Sequence, residues 1–547
     1  MANHTDPKDN KILKLEKENE RIKKELTKFA QDKYGLFWFD VPEGFDDDVE
    51  NKLPILKEVP KLAINSKDGK PTHLLIEGDN YHALTCLNYT HKGKIDIIYI
   101  DPPYNTGSDG FKYRDKRVLD KYPDGTEVPI DHPLRHSYWL SFMRKRLELA
   151  KDILKDSGLI FISIDDNELA QLKLLCDEIF YEKNFVNHIV WKKTNSPKFQ
   201  SFGLGNQHES VFVYAKNKSK LKLNQIYKPF DEISLKPYSY TDNKGKFRLI
   251  ELEAQGLQNS INRKKFSFKD RNAAWLYSLE TLKEWDKNGL IYKTKNGRFA
   301  KKQYLDNMEG VLIADIWIDK EINPLQGSSK EYENFETQKP ISLLKRIIKL
   351  SSQKNSIVLD FFAGSGTTGQ AVMELNKEDE GERQFILITN NDEVVNGEKH
   401  KIMTDVCYPR IKKCLNENKK SVKYYKTAFV GKNSILDADD RDKIELAHNA
   451  GAMLAIAENT LNEIEKNDYS QLFENEQQYT AVYFKEDFDK FGKFVEKVKS
   501  LKKPVSVYAF SWEKEFEFDD FNDNKNITVK TIPQPILEIY KQIYNLA

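Results

Sequence analysis

Short apolar runs alternate with amphipathic stretches along most of the first 430 residues. Apolar, β-branched runs bounded by turn formers predict buried strands over residues 72–76, 95–100, 159–164, 356–360 and 384–388. Apolar residues at helical spacing predict helices over residues 81–89, 138–156, 168–180, 341–352, 370–375 and 409–416. We expect Gly158 to end the second helix, and the Asp165-Asp166-Asn167 segment to cap the third. This strand–helix alternation predicts an α/β fold with a parallel sheet and helices on both faces.

The alternation is interrupted after about Asn184. Residues 186–192 and 210–214 predict two strands, and the segment beyond them is basic and aromatic without a strand–helix rhythm. We therefore predict a core in two parts, residues 35–189 and 335–430, with an inserted domain over residues 190–334 between them.

The two ends of the chain differ from this core. Over residues 11–31, within an N-terminal segment 1–34, apolar residues fall at heptad spacing with Asn19 at one core position. This pattern fits either a parallel homodimer or a single amphipathic helix packed on the body. Residues 431–547 predict a small acidic α/β domain, with helices over 443–465 and 488–500, strands over 479–484 and 505–510, and a terminal helix.

Charge is distributed unevenly along the chain. The 547 residues carry a formal net charge of +1 and are 31% charged, which is typical of a soluble globular protein of several domains. Residues 192–330 hold 26 Lys and Arg against 15 Asp and Glu, whereas residues 431–547 hold 15 against 22. A basic middle fits a nucleic-acid surface confined to the insert, and a chance fluctuation on solvated faces gives the same counts.

Cysteine spacing and hydropathy exclude several other classes of protein. The four cysteines (Cys86, Cys176, Cys407 and Cys414) form no CxxC pair and have no histidine companions at zinc spacing, so we expect neither a metal site nor a disulfide framework. No run reaches the roughly 18 apolar residues of a membrane span, and the N-terminus lacks a signal sequence. We expect a cytoplasmic protein without a membrane partner.

The strand over residues 95–100 runs into Asp101, Pro102, Pro103 and Tyr104. Asp101 then lies at the carboxyl end of a buried strand, where open α/β sheets bind ligands. The prolines fix φ and remove two backbone donors, so the turn is stiff and its carbonyls can accept. A carboxylate, a carbonyl and an aromatic ring on one rigid turn suit a planar amine such as a nucleobase. Taken alone, the tetrad is explained equally well as a turn that ends an edge strand.

A second turn, Phe362-Ala363-Gly364-Ser365-Gly366, lies between a predicted strand and a predicted helix. Glycines at this spacing let the backbone turn tightly and a ligand approach it closely. No Gly-x-x-x-x-Gly-Lys sequence is present, which argues against a phosphate-binding P-loop, and the dinucleotide fingerprint lacks its third glycine. The turn suits a ligand with an amino-acid carboxylate and an adenosine, and S-adenosylmethionine is such a ligand.

The two turns together resemble the motifs of the amino-methyltransferases, which methylate exocyclic amines of DNA bases. The Asp-Pro-Pro-Tyr motif precedes the Phe-x-Gly-x-Gly motif here, which is the permuted β arrangement. Within that class the chain is similar to the modification (Mod) subunit of type III restriction-modification systems, over roughly residues 33–220 and 335–415. The similarity also includes Tyr138-Trp139-Leu140, Phe161 to Glu168, Trp191-Lys192-Lys193, His208-Glu209, Lys339-Pro340 and Thr389-Asn390-Asn391.

The resemblance implies a Rossmann-like S-adenosylmethionine-dependent methyltransferase sheet and methylation of adenine N6 in double-stranded DNA. It implies that the Asp101 carboxylate and the Pro102 carbonyl accept the N–H bonds of the amine, and that Tyr104 stacks on a flipped base. Pro103 completes the catalytic motif. The cofactor residues it implies are Asp79, Asn80, Asp101, Lys339, Pro340, Asp360, Phe362, Gly364, Ser365, Gly366 and Thr367. Many relatives bind the ribose through a Glu that this chain lacks, which leaves Asn391 or Asp392 as candidates.

The partners implied by the resemblance are double-stranded DNA, a second copy of the chain and a restriction (Res) helicase–nuclease subunit. A solitary or type II methyltransferase without a nuclease partner is an alternative. Two intact motifs argue against a catalytically idle DNA-binding protein. Aspartate at position 101 is less consistent with a protein or RNA methyltransferase. His208 and Glu209 either contact DNA or form a polar pair at a strand entry. The negative charge of the C-terminal domain favours a protein partner over a DNA phosphate.

Overall fold

The computed structural model describes most of the catalytic motifs and predicted elements. The described residues are 38, 40, 52–64, 73–107, 114–115, 117–121, 125–129, 132–196, 203–254, 265–319, 322, 325, 333, 335–391, 393–395, 398–418, 421–431, 440–484, 488–509, 519–521 and 524–543. The predicted N-terminal helix and its role in dimerisation, together with Asp392, lie outside these residues.

The strands of the described residues follow the apolar runs of the sequence. In chain order they are β1 (Lys52–Glu58), β2 (His73–Glu77), β3 (Ile95–Ile100), β4 (Leu154–Ile164), β5 (Phe185–Lys192), β6 (His208–Ala215), β7 (Tyr227–Lys228), β8 (Tyr240–Asp242), β9 (Gly245–Glu251), β10 (Lys265–Phe268), β11 (Arg271–Ala274), β12 (Ile291–Lys293), β13 (Phe299–Tyr304), β14 (Val311–Leu312), β15 (Ile316–Trp317), β16 (Ile357–Asp360), β17 (Gln384–Thr389), β18 (Glu393–Val395), β19 (Glu398–His400), β20 (Val422–Gly431), β21 (Asn462–Lys466), β22 (Ser470–Glu474), β23 (Tyr479–Tyr483), β24 (Val505–Ala509) and β25 (Ile527–Val529).

The helices alternate with the strands of the core. In chain order they are α1 (Asn80–Thr90), α2 (Ser137–Ile153), α3 (Leu169–Cys176), α4 (Glu232–Leu235), α5 (Leu279–Lys287), α6 (Ile341–Ser351), α7 (Thr367–Asp379), α8 (Tyr408–Asn418), α9 (Asp440–Glu458), α10 (Phe488–Lys499) and α11 (Gln534–Ile543).

The core is a ten-stranded sheet in the order β1-β20-β2-β17-β16-β3-β4-β6-β5-β15. The strands from β20 to β4 are parallel to one another, whereas β6 runs antiparallel to both β4 and β5. β16 is followed outward by β17, and β3 is followed by β4 in the opposite direction, so the strand order reverses between β16 and β3. This arrangement agrees with the predicted Rossmann-like sheet in permuted order, and its switch point is where such sheets bind ligands.

Burial explains why these segments form the sheet. Ile98, Leu359 and Ile386 of the central strands are at most 2% exposed and belong to the main hydrophobic core. Helix α2 buries Trp139 and Met143 in the same core, which its helical spacing of apolar residues predicted. Because both faces of the parallel strands are covered, the strands are apolar throughout rather than alternating.

Two predicted boundaries around α2 and α3 are wrong. Helix α2 ends at Ile153 instead of Asp156, because Leu154 already pairs with Ile95 as the first residue of β4. Gly158 lies within that strand, where a Cβ atom would come within about 3.0 Å of the Ile95 carbonyl oxygen. The third helix begins only at Leu169, since the Asp165 carboxylate accepts the Asn167 N–H in a local turn.

A second compact unit spans Gln225–Ala314. It contains a four-stranded sheet in the order β12-β13-β9-β8, the pairs β10-β11 and β14-β7, and a core around Leu252, Phe268 and Trp275. The predicted insert, residues 190–334, is wider than this unit, because β6 and β15 hydrogen-bond within the main sheet. The lack of a strand–helix rhythm in the sequence reflects these antiparallel strands.

The C-terminal segment forms a five-stranded sheet, β21-β22-β23-β24-β25, with its own core around Val498 and Val507. Its first helix ends at Glu458, and the predicted continuation to Glu465 is wrong because Asn462–Lys466 is a strand. The fully buried residues Ala450 and Met453 of α9 join the main core. The C-terminal domain is thus packed into the same compact unit as the methyltransferase core.

Three strands of the main sheet were not predicted: β1, β15 and β20. β1 and β20 extend the edge of the sheet beyond β2, with β1 antiparallel to β20. Pro54 in β1 is tolerated because β1 is the edge strand. Among the described residues, the helices are all too short or too polar to cross a membrane.

Candidate active site

The two sequence motifs meet at one edge of the sheet. β3 and β16 are parallel neighbours, with Val358 opposite Ile97 and Leu359 opposite Ile98. Asp101 follows β3 directly, and Asp360 ends β16. The two motif strands are therefore adjacent in the sheet.

A cavity lies between the two motif turns, with about 880 Å³ of empty space including its open mouth. Ten of the predicted site residues line it: Asp79, Asn80, Asp101, Pro103, Lys339, Asp360, Phe362, Gly364, Ser365 and Thr367. Residues implied by two distant motifs thus share one concave surface.

Asp101 is the centre of a buried polar cluster. Its Oδ2 accepts a hydrogen bond from Lys339 Nζ at 2.8 Å, and its Oδ1 accepts one from the Tyr104 hydroxyl at 2.6 Å. Lys339 Nζ also donates to the Tyr104 hydroxyl oxygen at 3.0 Å and lies 3.2 Å from Glu209 Oε2. The side chains of Asp101, Lys339 and Glu209 are 17%, 9% and 12% exposed, so these charges are largely removed from water.

Burial and neighbouring charges shift the protonation of this cluster. Burial raises the pKa of Asp101 and the Glu209 carboxylate raises it further, while Lys339 acts in the opposite direction. Burial lowers the pKa of Lys339, but Asp101 and Glu209 together more than offset this effect and the pKa is raised. One ammonium is thus shared by two carboxylates, which keeps Lys339 charged.

The turn that carries Tyr104 is held by buried groups on three sides. The Trp139 indole N–H donates to the Pro103 carbonyl at 2.7 Å. Asp115 accepts from the Tyr104 N–H, the Thr106 hydroxyl and the Gly107 N–H at 3.1, 2.7 and 3.1 Å. The turn is therefore rigid for reasons beyond its two prolines.

Asn105 completes this support in a left-handed conformation, with φ of 61°. Its side-chain amide donates to Glu168 Oε1 at 2.6 Å, and its oxygen accepts the Arg117 N–H at 2.8 Å. His136 Nδ1 lies 2.8 Å from the same Glu168 oxygen, and this hydrogen bond raises the pKa of His136. A fully buried carboxylate thus connects the motif turn to the start of α2.

The glycine turn requires glycine at two positions. Gly364 and Gly366 have φ of 47° and 79°, which side chains rarely adopt. A Cβ on Gly366 would come 2.9 Å from Cys407 Sγ. Asp360 stabilises the turn by accepting hydrogen bonds from the Phe362 N–H at 3.0 Å and from the Thr368 hydroxyl. Burial raises the pKa of Asp360 to about 7.

Arginine side chains hold both ends of the cavity. Arg146, which is fully buried, lies 3.3 Å from Asp79 Oδ2 and also donates to Asn80. Asp79 caps α1 by accepting the Tyr81 N–H at 2.7 Å, and Asn80 donates to the Phe361 carbonyl at 2.9 Å. Asp79 and Asn80 are thereby fixed beside the cavity.

Arg410, on α8, donates to the Ser365 and Thr367 hydroxyls at 3.1 and 3.0 Å. These two hydroxyls therefore bind a protein side chain and stabilise the glycine turn. The resemblance had implied that the two residues bind the cofactor. Arg410 also donates to Gln370 at 2.7 Å, which ties α8 to α7.

Five predicted site residues are absent from the cavity lining: Pro102, Tyr104, Pro340, Gly366 and Asn391. Pro340 precedes the first turn of α6, and Tyr104 joins the Asp101 cluster instead. The Asn391 oxygen accepts the Thr404 N–H at 3.0 Å, while Thr389 and Asn390 line the cavity. The choice of Asn391 as the ribose ligand is not supported by its position.

Four residues with evident roles were not predicted as site residues: Glu209, Asp115, Arg146 and Arg410. Glu209 was considered as a DNA contact or a polar pair with His208, and the structure places it on Lys339 instead. A family of sequences could have shown these positions, whereas single-sequence periodicity marks them only as polar.

The comparisons with known proteins agree with this geometry. Residues 95–401 match the family model described as DNA methylase, which is more than half of the chain. The StyLTI Mod subunit of a type III restriction-modification enzyme from Salmonella typhimurium is 38% identical over 359 residues, which cover 60% of this chain and 54% of the relative. The match thus spans about half the length of that relative.

Two further relatives are a type III Mod subunit and a type II methyltransferase. The EcoPI Mod subunit of Escherichia phage P1, also of type III, is 31% identical over 442 residues, covering 70% of this chain and 68% of the relative. The type II methyltransferase M.KpnI of Klebsiella pneumoniae is 31% identical over 354 residues, covering 57% of this chain and 79% of the relative. The protein belongs to the DNA methylase family, and within that family it resembles the Mod subunits of type III restriction-modification enzymes.

Proposed function

We propose that this protein transfers a methyl group from S-adenosylmethionine to adenine N6 in double-stranded DNA. The observation that carries the proposal is that Asp101 and the glycine turn, more than 250 residues apart in the chain, line one cavity on neighbouring strands. A methyl acceptor and a methyl donor require such adjacency, because the reacting atoms must meet in line at short distance.

The residues present fit S-adenosylmethionine. Gly364 and Ala363 leave one wall of the cavity without bulky side chains, and Asp79 and Asn80 supply polar groups on another wall. Phe362, Gly364 and Lys339 would flank the methionine portion, and Asp79 and Asn80 the adenosine. When bound, the cofactor supplies an electrophilic methyl group on a sulfonium.

Asp101 is the acceptor that orients the amine. An exocyclic amine has its lone pair delocalised into the ring, so an N–H bond to a fixed carboxylate favours the pyramidal nitrogen that attacks. The carboxylate must be ionised to accept, and Lys339 opposes the effect of burial on its pKa. The Tyr104 hydroxyl lies 2.6 Å from Asp101 Oδ1, and this proximity supports a role for the Tyr104 ring in stacking on a flipped base.

The protein would act as the modification and recognition subunit of a type III system. Its similarity to two type III Mod subunits supports this role. The excess of Lys and Arg over residues 192–330 supports a DNA-reading surface there, with phosphate contacts for affinity and base contacts for specificity. A Res helicase–nuclease subunit and a second copy of the chain are the proposed protein partners.

Methyl transfer to duplex DNA by the purified full-length protein tests the proposal. Wild type should transfer labelled methyl groups from S-adenosylmethionine to adenine, and Asp101→Ala should abolish transfer. Asp156→Ala, at an exposed surface pair with Lys220, is the matched control and should leave transfer unchanged. Transfer by Asp101→Ala at the wild-type rate would contradict the assignment of Asp101, and an inactive wild type would contradict the activity itself.

A type II or solitary methyltransferase is the second candidate, and the similarity to M.KpnI favours it. Affinity purification of the chain from its host distinguishes the two. Recovery of a stoichiometric ATP-dependent helicase–nuclease supports a type III system, whereas recovery of the chain alone with full methylation activity supports the second candidate.

A further inference from the structure

Lys339 and Glu209 form a part of the active site that the sequence motifs do not explain. The Lys339 ammonium has three hydrogens, and three oxygen atoms surround it: Asp101 Oδ2 at 2.8 Å, the Tyr104 hydroxyl at 3.0 Å and Glu209 Oε2 at 3.2 Å. Each Asp101 oxygen therefore already accepts one hydrogen bond, Oδ2 from Lys339 and Oδ1 from Tyr104, and each can accept one more.

An incoming amine needs one of these oxygens. In the proposed function, on which this inference rests, Asp101 accepts an N–H from the target base. An N–H that binds Oδ2 shares this oxygen with the Lys339 ammonium, so the two donors compete for it and the bond between Lys339 and Asp101 is weakened. The displaced ammonium is 9% exposed and cannot return to bulk water without moving out of the site.

A buried cation without a partner costs several kcal/mol, so the displaced ammonium needs a second carboxylate. Glu209 is already within 3.2 Å of it and is itself 12% exposed. We propose that Glu209 is a positioning residue, which retains Lys339 when the exocyclic amine of the target base takes its place on Asp101. Lys339 thus occupies the amine site before the base enters and stays charged and paired afterwards.

The position of Glu209 on β6 supports this role over a polar pair at the strand entry. Successive side chains of a strand point to opposite faces. His208 is exposed, whereas Glu209 turns inward to Lys339 and to the Tyr104 hydroxyl, at 3.2 Å from each. A second cation, Lys193, lies 3.6 Å from the other Glu209 oxygen and helps to hold the carboxylate in place.

Steady-state methyl transfer by Glu209→Gln tests the proposal. Glutamine preserves shape but removes the charge that retains Lys339, so the ammonium should bind Asp101 more tightly and compete with the amine. We expect kcat/KM for duplex DNA to fall by about 10- to 100-fold, the range for one charge-assisted hydrogen bond. Glu148→Gln makes the same chemical change at an exposed pair with Arg144 and should change neither parameter.

A double-mutant cycle with Lys339→Met separates a positioning role from a structural one. If Glu209 acts through Lys339, Glu209→Gln should have less than about a threefold effect in the Lys339→Met background. An equal effect in both backgrounds, or an unchanged kcat/KM for Glu209→Gln alone, would overturn the proposal. Unfolding midpoints of all four proteins show whether a loss of rate reflects a loss of folded protein.

The acid limb of the pH–rate profile is a second measurement. Glu209 raises the pKa of Asp101, so its neutralisation should lower that pKa and move the acid limb of kcat/KM to lower pH. Tyr104, Tyr99, Lys339 and Asp360 also interact with Asp101 and are unchanged in this variant. If wild type is active and the acid limb of Glu209→Gln does not move, only the role of Glu209 is contradicted. An inactive wild type would instead contradict the proposed function.

Discussion

Asp115 offers a direct test of how the catalytic turn is held. This side chain is 2% exposed and accepts three hydrogen bonds from the turn that carries Tyr104. In Asp115→Asn one oxygen becomes an NH2 group, with almost no change of volume. The Thr106 hydroxyl can rotate to accept, but one backbone N–H, of Tyr104 or Gly107, must then face a donor.

The expected loss follows from that count. A hydrogen bond to a charged acceptor contributes about 1.5–3 kcal/mol, and a buried donor left unpaired costs about 1–3 kcal/mol. Even 2 kcal/mol would raise the open population of the turn about 30-fold. We expect kcat/KM for methyl transfer to fall by up to about 30-fold, because Tyr104 and Asp101 are then less often in register.

Hydrogen exchange and kinetics together check this prediction. The amides of Tyr104 and Gly107 should exchange about 30-fold faster in Asp115→Asn, while amides of β3 should be unchanged. Asp120→Asn, on the same connecting segment but 56% exposed and paired with Arg135, is the matched control. Wild-type exchange and wild-type kcat/KM in Asp115→Asn would refute the idea that this carboxylate holds the turn.

Two further predictions concern the glycine turn. Gly366→Ala adds a Cβ 2.9 Å from Cys407 Sγ at a φ of 79°, so cofactor affinity by calorimetry should fall at least tenfold, and an unchanged affinity would show that the turn can relax. Burial raises the pKa of Asp360 from 3.8 to about 7, so the folded state holds the Asp360 proton more tightly than the unfolded state does. The free energy of unfolding therefore decreases as pH rises from about 4 to 7. Relative to Asp360→Asn, wild type should lose up to about 4 kcal/mol of unfolding free energy across that window by urea denaturation, and a constant difference would contradict the shift.

The sequence predicted the parts of this fold whose burial is complete. β3 has the predicted bounds, because its apolar run is flanked by a charged segment and by prolines. β1 and β20 were missed: Pro54 and the lysines of β1 interrupt its apolar pattern, and the strand exists because β20 offers a partner far along the chain. Propensity within a window contains no information about such partners.

The residues of the site could likewise be predicted only in part. Asp101 and the glycine turn could be found because their chemistry depends on adjacent residues. Glu209 could not, because its role depends on a contact with Lys339 across 130 residues of chain. Asn391 was chosen from its place after a strand, but its side-chain oxygen accepts the Thr404 N–H and the residue does not line the cavity.

The permuted strand order has a consequence for the growing polypeptide. β2 is made early, yet both of its neighbours in the sheet, β17 and β20, follow more than 300 residues later. At about 5–20 residues per second, β2 waits roughly 15–60 s on the ribosome with two unpaired edges. Its fully buried residues Leu75 and Ile76 are exposed during that time, so the nascent chain should depend on chaperones that bind short apolar segments.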